Sequence, residues 1–224
     1  MSNDTPYAKL SPDLVLDAVG ACGLWPDGRL LALNSYENRV WQVGLEEAAP
    51  VIAKFYRPGR WSDAAIVEEH AFAQELAAAE LPVVAPLAFD GYTLLWREGF
   101  RYALTPRRGG RAPSLESVEQ LQWLGRLIAR MHVVGARQPF AHRDRLDRDT
   151  MVQRPMRAVL ESSLLPVSLQ AKYRAAAERL DAAIASRLAA IGPVRQLRLH
   201  GDCHPGNVLW TDEGPHFEIG RAHV

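Results

Sequence analysis

The sequence predicts an α+β chain in two parts: a β-rich first half with one internal helix, and a mainly helical second half. Three observations predict this. Short apolar runs separated by polar turns fill residues 29–58 and 83–106. One strongly helical stretch, 62–80, interrupts them. Beyond the glycine-rich break "RRGGRAPS" (107–114), long helical patterns take over, followed by only one short strand pattern, "VLW". The break sets the expected boundaries, 1–106 for the first part and 107–217 for the second.

Each element has its own warrant. In "SPDLVLDAVGACGL", Ser11 caps, Pro12 suits the first turn, and Leu14, Val15, Ala18, Val19 and Cys22 recur at helical spacing. Strands are expected at "RLLALNS", "RVWQVGL" and "PVIAKFYRP". Ser62 caps the next helix, whose Ile66, Phe72 and Leu76 share a stripe. Strands "VVAPLAF" and "YTLLW" flank Asp90-Gly91, a pair suited to a tight hairpin turn, and "FRYALTP" is a further strand. After the break, Ser114 or Ser117 caps a long helix ending in "ARMHVVG", and residues 148–191 read as two helices joined near Leu165-Pro166. There are no internal repeats.

Composition narrows the function classes. Lys plus Arg and Asp plus Glu both number 26, so the chain lacks the basic excess of a general nucleic-acid or anionic-membrane binder. Cys22 and Cys203 lie too far apart to suggest a disulfide framework. The start "MSNDTPYAKL" has no basic segment leading into an apolar run, so no signal peptide is expected, and no apolar run approaches the ~18 residues needed to span a bilayer. A soluble cytoplasmic protein with no nucleic-acid or membrane partner is expected.

The densest chemistry lies in "LRLHGDCHPGNVLW", residues 197–210. On a straight strand, His200, Asp202 and His204 would share a face, a credible zinc or iron set for a metal hydrolase. Gly201 and Pro205-Gly206 argue for a turn instead, and further ligands would need His132 or His142 to fold back. A plain polar turn is the second reading. The third is a phosphoryl-transfer loop, which needs a carboxylate for the attacking hydroxyl and, five residues on, an amide oxygen for magnesium. Asp202 and Asn207 have that spacing. Lys54 supports this reading: it sits inside the apolar run "VIAKFY", where it is either an edge-strand charge or one half of an ion pair. On the following helix Glu69 shares the stripe of Phe72 and Leu76 and should face the sheet, leaving Glu68 solvated. A Lys54–Glu69 pair would set the lysine on the α- and β-phosphates of ATP.

With these residues in place, the chain resembles the bacterial stress response kinase A family, within the aminoglycoside phosphotransferase-like (protein-kinase-like) superfamily. "HGDCHPGN" carries the broad likeness; "LNSYENRVWQV", "KFYRPGRWS", "EEHAFAQEL", "PVVAPLAF" and "LGRLIARMH" carry the narrower one, from about residue 10 to 217. The resemblance implies a two-lobed fold with an ATP-binding first lobe. It also implies a cytoplasmic, monomeric Ser/Thr protein kinase that uses ATP and Mg2+ and acts on a protein hydroxyl. By position, Asp202 would be the catalytic carboxylate, Asn207 a magnesium ligand, and Lys54 and Glu69 the pair argued above. The glycine-free turn "NSYENRV" would lie over the phosphates through Ser35 and backbone N–H groups. Ala103–Pro106 would be the adenine hinge. His200 is expected to be structural, His204 either to touch substrate or to bond locally, Cys203 to be a small packing residue, and His132 a helix-end or core residue.

Family members continue with Val-Asp-Leu-Asp, whose first Asp is a second magnesium ligand; Ile219 stands there in this chain. The tail "EIGRAHV" matches an in-frame translation of a common sequencing adapter, so residues 218–224 are expected to be an artefact of a truncated gene. Little kinase activity and a poorly covered second lobe are then expected of this chain, with Glu218 pointing away from the site. The alternatives are a small-molecule kinase for an amino alcohol or antibiotic, and a non-catalytic nucleotide-binding pseudokinase.

Overall fold

The computed structural model describes residues 6–114 and 116–219, so residues 220–224 of the suspected adapter tail lie outside the described residues. Helix α1 (Pro12–Gly20) begins where Ser11 Oγ accepts the Leu14 amide. Its Val15, Ala18 and Val19 are fully buried against a five-stranded antiparallel sheet. That sheet comprises β1 (Pro26–Leu33), β2 (Arg39–Leu45), β3 (Val51–Phe55), β4 (Leu95–Arg97) and β5 (Phe100–Pro106), in the order β1-β2-β3-β5-β4. β3 is central, with Lys54 opposite Val40 on one side and Ala103 on the other. Val51, Ala53 and Phe55 enter the core beneath α1, and the two-residue period of a strand turns Ile52 and Lys54 to the other face.

Helix α2 (Asp63–Ala78), capped by Ser62, buries Ala65, Ile66, Glu69, Phe72, Ala73 and Leu76 at helical spacing. Phe72 and Leu76 join a second core with Leu124, Leu127, Met131 and Val134 of α3 (Val118–Gly135). Ser117, rather than Ser114, caps α3. A widened turn at Asp149–Gln153 leads into α4 (Arg154–Glu161), and α5 (Val167–Ile191) starts after Pro166. Neither α4 nor α5 buries a residue completely. The ribbon β6 (Val208–Thr211) and β7 (Gly214–Phe217) closes the second core with Val208 and Phe217. Among the described residues no helix is long and apolar enough to cross a membrane.

One expected strand does not form. Residues 83–89 join no ladder: they make isolated bridges, Val83 to Phe217 and Phe89 to Tyr92, and a 2.8 Å bond from the Leu87 amide to the Leu104 carbonyl of β5. Pro82 and Pro86 remove the donors that a ladder needs. The Asp90-Gly91 turn does form: both residues take positive φ, and Phe89 and Tyr92 exchange two 2.9 Å backbone hydrogen bonds. The glycine-rich break is stitched to β6, with Arg111 and Trp210 exchanging bonds of 3.0 and 2.7 Å. Gly110 is required there, because a Cβ would lie 2.8 Å from the Leu209 carbonyl carbon at a φ of 145°.

Candidate active site

A cleft of about 470 Å³ separates the face of the sheet opposite α1 from residues 202–207. Ser35, Lys54, Asp202 and Asn207 all line it, so four of the five predicted site residues converge although the chain separates them widely. The fifth, Glu69, stands behind Lys54 with Oε1 3.8 Å from Nζ, its side chain only 4% exposed. Thr105, from the expected hinge, also lines the cleft.

The Lys54–Glu69 pair is not exclusive. Glu69 Oε2 lies 2.9 Å from an Nη of Arg143, which belongs to the segment after α3. Arg143 is buried and stacks 4.0 Å from the Trp61 ring centre. Burial pulls its guanidinium below the usual pKa, and Glu69 opposes that pull. Sequence reasoning missed Arg143, because "HRDR" has no periodicity to mark one arginine as buried. Glu68 also departs from expectation. Its carboxylate is not merely solvated but accepts the amides of Ala141, His142 and Arg143 at 2.5, 2.8 and 3.0 Å.

The turn at 34–38 is anchored by the neighbouring motif. Arg60 Nε lies 3.3 Å from Glu37, the Arg57 amide donates to Asn38 Oδ1, and Tyr7 Oη donates to the Glu37 carbonyl. That accounts physically for "NSYENRV" and "KFYRPGRW" occurring together: the second holds the first over the cleft.

Residues 200–207 form a closed loop. Asn207 Nδ2 donates to the Asp202 carbonyl at 2.7 Å, and the His204 amide donates to the same oxygen at 2.9 Å. His200 is buried edge-on to Phe217, and its Nδ1 accepts the Asp202 amide at 3.3 Å. Burial lowers its pKa, favouring the neutral ring that this acceptor role needs. His204 Nδ1 accepts the Gly206 amide at 3.0 Å, capping the short turn Pro205–Asn207. Both imidazoles are thus engaged with backbone, and no metal-ready group of three His, Cys, Asp or Glu exists among the described residues. The metal-hydrolase arrangement is not formed: Gly201, at φ 78°, breaks the straight strand it required.

His132 lies in the last turn of α3, the helix-end place expected of it, and is exposed. Two further expectations change. Cys203 is exposed rather than packed. Glu218 lines the cleft with Ile219 instead of facing away. Its amide is tied to the Asn207 carbonyl at 3.0 Å, and burial raises its carboxyl pKa against the pull of Lys54.

A lysine–carboxylate pair behind a cleft, facing an Asp and an Asn on one tight loop, fits the protein-kinase-like fold. The sequence profile of the phosphotransferase enzyme family (APH) matches residues 29–218, and the chain belongs to that family. Within it, the chain is 42% identical to Stress response kinase A of Shigella flexneri over 94% of its own length. It is 41% identical to Stress response kinase A of Escherichia coli strain K12 over 94%, and 40% identical to Serine/threonine protein kinase RdoA of Salmonella typhimurium over 96%. It spans 63% of the length of the first two relatives and 65% of the third. Among solved structures, an amicoumacin kinase in complex with AMP-PNP, Ca2+ and Ami superposes with a TM-score of 0.71 at 16% identity, over 91% of this chain and 63% of that one. A microcompartment-associated aminopropanol kinase superposes at 0.67 and 19%, over 91% and 68%. At these identities the likeness is one of fold.

Proposed function

We propose that this chain carries the ATP site of a cytoplasmic, monomeric Ser/Thr protein kinase of the stress response kinase A type, with residues 1–106 as its first lobe and 107–217 as part of its second. The observation that carries the reading is the meeting of Ser35, Lys54, Asp202 and Asn207 in one cleft, with Glu69 behind the lysine. Lys54 would hold the α- and β-phosphates, and Ser35 with its turn would cover them. Asp202 would orient the substrate hydroxyl and accept its proton. The amide oxygen of Asn207 would suit a hard cation such as Mg2+. Bound Mg-ATP supplies the γ-phosphoryl group and the counter-charge for its transfer. The sequence relatives named as kinases at 40–42% identity support the protein-kinase reading. The fold neighbours named for small acceptors support an amino-alcohol or antibiotic kinase as the second. If residues 218–224 are genuine rather than an artefact, Ile219, which lines the cleft with a side chain that offers no oxygen, favours a third outcome, nucleotide binding without catalysis.

Titration calorimetry with Mg-ATP tests the site. Lys54→Met is expected to weaken binding about 10- to 100-fold, the loss of a charged hydrogen bond of ~1.5–3 kcal/mol. This chain is expected to turn over little ATP beside a version extended beyond residue 217; in that longer version Asp202→Asn keeps Mg-ATP binding and abolishes phosphoryl transfer. Transfer of radiolabelled phosphate to a generic Ser/Thr protein, to aminopropanol or to an aminoglycoside separates the acceptor classes. A chain that binds no Mg-ATP at millimolar concentration overturns the reading.

A further inference from the structure

Glu69 is shared between the two halves of the chain. Its Oε1 faces Lys54 of β3, and its Oε2 faces Arg143 from the segment that follows α3. The Arg143 side chain is 1% exposed and its guanidinium carbon lies 4.0 Å from the Trp61 ring centre, so it is held between carboxylate and indole. The backbone of the same segment is gripped by Glu68, the neighbour of Glu69 on α2, through three amides. Adjacent α2 carboxylates therefore hold one short stretch, the first by its backbone and the second by its side chain.

A carboxylate with a single cation partner can swing about its last torsion, which has broad wells. A second partner fixed on the other oxygen removes that freedom. Arg143 also changes the charge behind the cleft. Lys54, Glu69 and Arg143 together leave one net positive charge, whereas Lys54 and Glu69 alone leave none. Arg143 is not among the residues that line the cleft. We infer that Arg143 is a positioning residue for the nucleotide: by anchoring Oε2 of Glu69 it aims Oε1 at Lys54 and sets where the ammonium meets the phosphates. The inference rests on reading the cleft as a nucleotide site. It makes nucleotide affinity depend on how the segment 140–143 docks on α2.

The test is calorimetry on the full chain with Mg-ATP and, separately, with adenosine. Arg143→Met is expected to weaken Mg-ATP about tenfold and to leave adenosine within about twofold, in the range of coupled contacting pairs. In a Glu69→Gln background the same substitution should add no further loss. Arg143→Lys keeps the charge but loses the planar fork, so about a threefold loss for Mg-ATP with adenosine unchanged is expected. Equal losses for both ligands would mark a purely structural role and overturn the inference. A full loss in the Glu69→Gln background would overturn it too, by showing that Arg143 does not act through Glu69. If melting shows that Arg143→Met does not fold, Arg143→Lys decides, and unchanged Mg-ATP affinity in that variant refutes the inference. A wild-type chain that binds neither ligand refutes the nucleotide reading; wild-type binding with Arg143→Met unaffected refutes only the role of Arg143.

Discussion

Gly135→Ala sets two physical effects of opposite sign against each other. Gly135 is the last residue of α3, where helix propensity alone favours alanine by up to about 1 kcal/mol. The structure opposes this. A Cβ at Gly135 would lie 2.1 Å from the Arg198 carbonyl oxygen and 3.1 Å from its carbon, both backbone atoms. Relief requires the two backbones to part by roughly 1 Å, and such overpacking costs about 1–3 kcal/mol or more. The movement also stretches the 3.1 Å bond from the Arg198 amide to the Gly135 carbonyl, worth about 1 kcal/mol. Its consequences continue along the side chain, because buried Arg198 pairs with Glu75 at 2.7 Å and lies 4.5 Å from the Phe72 ring centre. The net expectation is a loss of about 2–3 kcal/mol, which for a chain of this size lowers Tm by about 4–12 °C. Circular-dichroism melting measures it directly. An unchanged or raised Tm would show that the close approach is relieved without cost and would refute the reasoning. Arg198 lies two residues before His200, so Mg-ATP affinity should fall along with Tm.

Two further outcomes follow from the α2 surroundings. His70 bonds Tyr56 Oη at 2.6 Å and Thr93 Oγ1 at 2.9 Å; burial first, then Lys54 and Arg143, push its pKa down to about 3. The unfolded ring titrates near 6.5, so unfolding takes up a proton between these values, and this stability, present above pH 6.5, drains as pH falls toward 3. Urea melts should show about 2 kcal/mol lost to this group between pH 7 and pH 5, and a correspondingly flatter response in His70→Gln; identical pH responses would sink the argument. Glu68→Ala strips an acceptor from three amides and should cost about 1.5–3 kcal/mol. Hydrogen exchange at residues 141–143 should rise in step, and unchanged protection there would count against the clasp.

The sequence was legible where the determining contacts are local. Ser11 and Ser62 cap the helices they were expected to cap, because a cap reads only the next three residues. Strands β2 and β5 occupy the expected 39–45 and 100–106, where apolar patterning and the flanking turns agree. The misreading at 83–89 came from β-branched residues whose preference depends on a neighbouring strand to pair with. The meeting of Asp202 and Asn207 at the cleft was legible because both lie within one short loop. Arg143 was not: its ties to α2 span 75 residues, as in the bond from its amide to Glu68, and nothing local marks that arginine rather than Arg145.

The edge-strand explanation of Lys54 fails on topology. β3 is paired on both sides, by β2 and by β5, so its lysine blunts no exposed edge. The register leaves little choice of face, since a slip of one residue would turn Lys54 into the core and expel Phe55, which is fully buried. A charge on a central strand needs a partner, and only an element crossing that face can bring one. Helix α2 does so with the same stripe that places Phe72 and Leu76 in the core shared with α3 and β7. Glu69 lies one helical turn before Phe72, so the carboxylate behind Lys54 and the aromatic ring in the second core move as one body. Any tilt of α2 that repacks Phe72 must therefore also shift Glu69 against Lys54 and Arg143. Loosening that core, for example with Phe72→Ala, is on this geometry a route to weaker nucleotide binding without touching the cleft.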